Sequence, residues 1–154
     1  MGMTPLYNPH KLAQQRRASL QQRFEKALVF VLNELGMELV SFARSNRTYT
    51  DRTGNLTNSM GYVILRRGVQ VAHGGELGNG EGLSAALNLY AKLGLESKYD
   101  YSLIIVAGMN YAAYVEAKGY NVLMPAKLKA DVEFERRMKE LVAKADAKLK
   151  SMMK

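Results

Sequence analysis

The 154-residue sequence predicts an α+β fold: a small antiparallel or mixed sheet of three to four strands packed against a long N-terminal helix and a C-terminal helix. Three observations carry this. An apolar stripe of helical period runs from Leu12 to Phe42. Two β-type runs flank a glycine turn at residues 66–68, and a third lies at 101–107. A second helical pattern fills the chain beyond Pro125. The length is that of one domain, residues 1–154, with no room for separate cofactor and substrate lobes.

Each element has a local reason. Pro5 and Pro9 keep residues 1–8 extended, and Asn8 stands where it caps a helix with Pro9 at the first helical position. Leu12, Leu20, Phe24, Leu28, Val31, Leu35, Leu39 and Phe42 then make one stripe on a helix of about nine turns. Gly36 weakens that helix by about 1 kcal/mol relative to Ala, too little to break it. Residues 45–59 are polar and turn-rich; within them Thr53 caps a short helical turn with Leu56 and Met60 on one side. Residues 62–65 and 69–72 flank Arg66-Arg67-Gly68, a hairpin with Gly68 available for positive φ.

Gly74 to Gly82 holds five glycines in nine residues and reads as a mobile loop or hinge. A short amphipathic helix follows, with Leu83, Ala86, Leu87, Tyr90 and Leu93, ending at Gly94; residues 74–94 together read as an insertion within the sheet. Tyr101–Ala107 is apolar enough for a central strand. Asn110 is expected to cap a brief helix from Tyr111 to Ala117, ended by Lys118-Gly119. An extended stretch, Tyr120 to Met124, leads to Pro125 and the last helix. Its apolar positions are Val132, Leu141, Val142, Ala145 and Leu149, with Phe134 and Met138 beside them.

Composition removes several chemistries. Cys is absent, and the two histidines, His10 and His73, have no ligand spacing, so no metal site is expected. No apolar run approaches the roughly 20 residues that span a bilayer, so a soluble, cytoplasmic product with no membrane partner is expected. The net charge of +8 sits at the ends: residues 1–30 and 126–154 contribute +4 each, and the residues between them net zero. Two basic helices face phosphates, an acidic protein, or only water.

Candidate catalytic patterns fare poorly. Gly80-Glu81-Gly82-Leu83-Ser84-Ala85 matches G-x-G-x-x-A between a strand and a helix. Glu76 and Glu81 oppose a pyrophosphate there, however, and Asp100 precedes its strand where a ribose-binding acid should follow one. No cofactor is therefore expected. Asp51 and Glu116 are the carboxylates nearest to motif-like sequence; nothing pairs them as an acid–base couple, and each reads as capping or salt-bridging a loop. Ser84 lacks a nucleophile elbow. The expectation is a protein with no enzymatic activity and no small-molecule substrate. Tyr49, Tyr111, Tyr114 and Tyr120 fall on loops and short helices, where tyrosine serves either protein contacts or a partly buried core.

Two stretches carry a resemblance. Tyr49-Thr50-Asp51-Arg52-Thr53-Gly54-Asn55-Leu56-Thr57-Asn58-Ser59-Met60 resembles a "T-G-x-L-x-x-S-I" element, and Tyr111-Ala112-Ala113-Tyr114-Val115-Glu116-Ala117-Lys118-Gly119 is similar to "Y-A-x-Y-V-E-x-G", with one extra residue before the glycine. In this order and separation they resemble the small tail-component family of long-tailed double-stranded DNA bacteriophages, the tail-completion or head–tail joining proteins. The family commonly continues with Thr and a later Pro-Phe-Leu; of these only Pro125 is matched here.

The resemblance implies a structural virion protein without a cofactor, assembled in the bacterial host cytoplasm. It would act as a homo-oligomeric ring that docks between tail tube and head-side connector, with other phage neck or tail proteins as partners. The implied interface is Asp51, Thr53, Gly54, Asn55, Tyr111, Tyr114, Glu116, Lys118 and Gly119, the two motif segments lying near one end of the sheet and the 74–82 loop serving as a flexible arm. The alternative, drawn from the +8 charge and the basic terminal helices, is a small basic nucleic-acid-binding protein.

Overall fold

The computed structural model describes residues 8–77, 80–109 and 111–153. In chain order the elements are α1 (Pro9–Ser45), α2 (Asn55–Asn58), β1 (Met60–Arg66), β2 (Val69–Gly75), α3 (Glu81–Lys92), α4 (Leu95–Lys98), β3 (Tyr101–Ala107), α5 (Ala112–Ala117) and α6 (Met124–Met152). The architecture is α+β, with one antiparallel three-stranded sheet in the order β2-β1-β3. Of the expected N-terminal extended segment only Asn8 is described, and the expected cap Asn110 lies outside the described residues.

The Asn8 side chain accepts from the His10 and Lys11 amides at 3.1 and 3.2 Å, so α1 begins where the Asn-Pro pair places it. At 37 residues α1 is about 55 Å long and passes Gly36 without a break. Its C-terminal half crosses all three strands. Leu32, Leu35, Leu39, Val40 and Ala43 there join Met60, Tyr62 and Ile64 of β1 in the main core. Each fully buried aliphatic side chain contributes about 1.5–3 kcal/mol of transfer free energy.

The turn between β1 and β2 has Arg67 at φ 47° and Gly68 at φ 81°. Positive φ at both central residues matches the twist of the flanking strands. Arg67 is held there by its amide on the Asp100 carbonyl and by a 2.8 Å ion pair to the Asp100 carboxylate.

Several expectations need correction. β3 is an edge strand and β1 the central one. β3 is apolar because helices cover both of its faces: Leu103 and Ile105 meet the α1 core, and Ile104 meets a second core with Val63, Leu65, Tyr90, Leu83 and Leu87. The residue 74–82 stretch is not a loose arm where it is described. Gly74 and Gly75 complete β2, paired with Tyr62 and Gly61, and Gly80–Gly82 open α3. Small residues are required here by crowding: a Cβ on Gly74 would sit 2.6 Å from the Tyr62 hydroxyl, and one on Gly75 would sit 2.7 Å from the Met60 carbonyl oxygen. The helix that follows covers the second face of the sheet and supplies the buried Tyr90, whose hydroxyl bonds Ser102 of β3 at 3.0 Å. β2 and β3, joined through α3, run parallel but are separated by β1, so they are not the adjacent parallel strands that the G-x-G-x-x-A reading requires, and the Gly82 amide is spent on the Gly108 carbonyl.

The two long helices do not share the sheet equally. α6 packs mainly along α1, antiparallel to it, so the layers run α6, α1, sheet, α3. Ion pairs from Lys129 and Arg137 of α6 to Glu38 of α1 join them, and Lys129 also sits over the Phe42 ring. The buried face of α6 is Ala126 and Leu141, with Ala130 and Met138 half-buried; Val132, expected to be apolar core, is 68% exposed, and Val142 also faces outward. The residues before α6 bend rather than extend, Leu123 lying at φ −111°, ψ −14°.

Candidate functional site

Strand register brings the two motif segments together. Met60, the first residue of β1, pairs with Ala107, the last residue of β3. The 49–59 segment enters β1 and the 109–120 segment leaves β3, so antiparallel pairing puts both at one end of the sheet. The Gly108 amide donates to the Ser59 carbonyl at 2.9 Å and ties the two segments beyond the last strand pair.

The first segment is a capped turn. Gly54 at φ 73° lets the chain reverse into α2, a conformation that costs a non-glycine residue strain. The turn's orphan amides are met from outside: the Thr57 amide donates to Asp51 Oδ2 at 2.7 Å. Thr53, the expected cap, makes only a 3.4 Å contact from the Asn55 amide. Burial opposes the charge on Asp51, but the Thr57 amide and hydroxyl, the Gly54 amide and the nearby Arg47 outweigh it and hold the carboxyl below its ordinary pKa. The Thr57 hydroxyl and the Tyr49 phenol are hydrogen-bonded to each other at 3.2 Å. Burial raises the Tyr49 pKa, so the phenol stays protonated. At the other end of the turn Arg44 Nη2 donates to the Met60 carbonyl at 2.8 Å and to the Asn58 carbonyl at 3.3 Å. Leu56 is buried, and the Ser59 hydroxyl bonds back to the Leu56 carbonyl. Every residue of Thr-Gly-x-Leu-x-x-Ser except Thr53 is thus explained by making this turn rigid.

The second segment is α5. Its Glu116 reaches forward: Oε1 accepts from the Leu123 and Met124 amides at 3.0 and 2.7 Å. It therefore caps the first turn of α6, whose own N-cap residue Leu123 has no side chain suited to the task. Gly119 at φ 87° turns the chain out of α5, and the Asn121 amide donates to Thr48 Oγ1 at 2.9 Å, fastening this segment to the first.

Between the two segments lies an open depression of about 490 Å³. Tyr49, Asp51, Arg52 and Thr53 form one wall; Tyr111, Tyr114, Lys118 and Tyr120 form the other. Tyr114 is 65% exposed with the Lys118 ammonium 5.2 Å over its ring, and Tyr111 and Tyr120 are also exposed.

Of the nine residues proposed from sequence, Asp51, Thr53, Tyr111, Tyr114 and Lys118 line this surface. Gly54, Asn55, Glu116 and Gly119 do not line it. Sequence reasoning passed over Arg44 and Arg52. Arg44 carries no local signal, being one of several cations near the end of α1, and its target carbonyls lie 14 and 16 residues away. Among the described residues no group of three His, Asp or Glu could hold a metal ion, and no helix is long and apolar enough to cross a membrane. Comparison with family models, curated proteins and solved structures gives no match.

Proposed function

We propose that this chain is a structural phage virion protein of the neck or tail-completion type, acting by ring assembly and by docking between tail tube and head-side connector. The observation that supports the reading is the division of labour in the two motif segments. Their carboxylates, Asp51 and Glu116, are turned to backbone amides and spent on rigidity, while Tyr111, Tyr114, Tyr120 and Lys118 are left on the surface. A wall that is rigid behind and tyrosine-rich in front suits protein contact, because tyrosine covers much area and orders few torsions. A neighbouring copy seated in this depression makes a head-to-tail contact, which closes into a ring when the rotation allows.

The nucleic-acid reading is weaker on the strands, where Arg66 is engaged by Glu25 at 2.8 Å and Arg67 by Asp100. Solution mass measured across concentration, together with retention of duplex DNA across salt, separates the two readings. The assembly protein oligomerises, alone or with tail-tube and connector proteins, and retains little DNA. A strict monomer that binds duplex tightly and loses it steeply with salt would overturn the proposal.

A further inference from the structure

The helix pair changes character along its length. Near the sheet its charges are matched: Glu38 takes Lys129 and Arg137, Glu133 takes Arg136 and Arg137, Glu140 takes Arg136, and Glu135 takes Lys139. Farther out, residues 17–27 of α1 face residues 141–149 of α6, residues 9–16 continue α1 outward, and Leu28 is the first α1 residue to join the main core. This distal part carries Lys11, Arg16, Arg17, Arg23, Lys26, Lys144, Lys148 and Lys150 against Glu25 and Asp146. Glu25 is already committed to Arg66. Among the described residues none of those eight cations has an ion pair, so most of the protein's net +8 is uncompensated here.

The helices also stand apart in this region. A groove of about 660 Å³ runs between them, floored by Leu20, Phe24, Ala27, Leu141, Ala145 and Leu149. Arg17, Arg23, Lys144 and Lys148 stand along it, with Asp146 the one acid. Phe24 and Leu149 remain about two-fifths exposed, at 38% and 42%.

We propose that this distal groove docks an acidic amphipathic helix of a partner protein. A third helix laid between two antiparallel ones buries its apolar stripe on the groove floor. Glu or Asp on its flanks then meets the four cations, which also steer its approach. Duplex nucleic acid uses the cations but leaves the Leu and Phe floor in water, since phosphates offer it nothing. A second copy of this chain joined through the same face sets cations against cations. The inference does not depend on the virion reading: it concerns a different surface, and its test does not involve ring assembly.

The test measures fluorescence anisotropy of a labelled synthetic helix of about 14 residues, about four turns, with Leu on one stripe and Glu on both flanks. The intact chain should bind it, and R23E/K148E should weaken binding by at least about tenfold. K92E, on α3 and outside both surfaces, should leave binding unchanged. Circular dichroism of each variant confirms the fold. Equal binding of a scrambled peptide of the same composition, tighter binding of duplex DNA than of the peptide, no binding at all, or an unchanged affinity in R23E/K148E would each overturn the proposal.

Discussion

The ring of Tyr62 packs against Gly36 of α1, so closely that a Cβ at position 36 would stand 2.5 Å from Tyr62 Cδ2. The phenol donates to Asn33 Oδ1 of the same helix at 2.6 Å, and its Cε1 and Cζ fill the space that a Cβ on Gly74 would need. One aromatic side chain thereby fixes the distance between helix and sheet. Burial raises the Tyr62 pKa, keeping the hydroxyl a donor through neutral pH.

Gly36→Ala should therefore destabilise the fold by about 1–3 kcal/mol through overpacking, although Ala gains about 1 kcal/mol in helix propensity. Denaturant midpoints measure the difference. A more stable variant would mean that the ring yields freely and that the contact does not set the spacing.

Glu116 should act on stability through α6. Glu116→Ala leaves the Leu123 and Met124 amides without their acceptor and should cost about 1 kcal/mol. Glu116→Gln keeps an oxygen in place and should recover part of the loss. Amide exchange offers a sharper readout, with protection falling first at residues 123–127.

Asp51 should confer a pH-dependent stability. Its folded pKa is depressed, so its contribution is complete above the unfolded value of about 3.9 and disappears as pH falls through the lower folded value. Asp51→Asn should cost about 1 kcal/mol at pH 7 and progressively less as pH falls through the depressed folded pKa. Thermal melts of both proteins across that range give the sign directly; a gap that widens in acid would contradict it.

The outward residues should behave oppositely to the two carboxylates. Tyr114→Ala combined with Lys118→Glu touches no buried contact, so stability should stay within about 0.5 kcal/mol. If the depression is the assembly surface, the same variant should lose its concentration-dependent mass in sedimentation.

Much of this organisation was legible from residue order alone. The Asn8-Pro9 start of α1, the Arg67-Gly68 turn and the Gly94 stop are local events, set by cap chemistry and allowed φ within three or four residues. The use of Asp51 and Glu116 as caps was also within reach, because their partners lie six to eight residues away. Gly74 misled for a physical reason. There, as at Gly36, the requirement is absence of a side chain beside a ring that arrives from a distant segment, and composition alone cannot distinguish that from flexibility. Val132 misled similarly: its spacing fits an apolar stripe, but α6 turns its alanine face to α1.

The Met60–Ala107 pairing has a consequence for how the depression comes into being. Its two walls are about sixty residues apart along the chain and meet only once β3 has zipped onto β1. A nascent or partly opened subunit therefore displays half a socket at most. On the proposed assembly reading, a partner seating there would meet only the finished sheet, and unfinished chains would be turned away without any dedicated checkpoint.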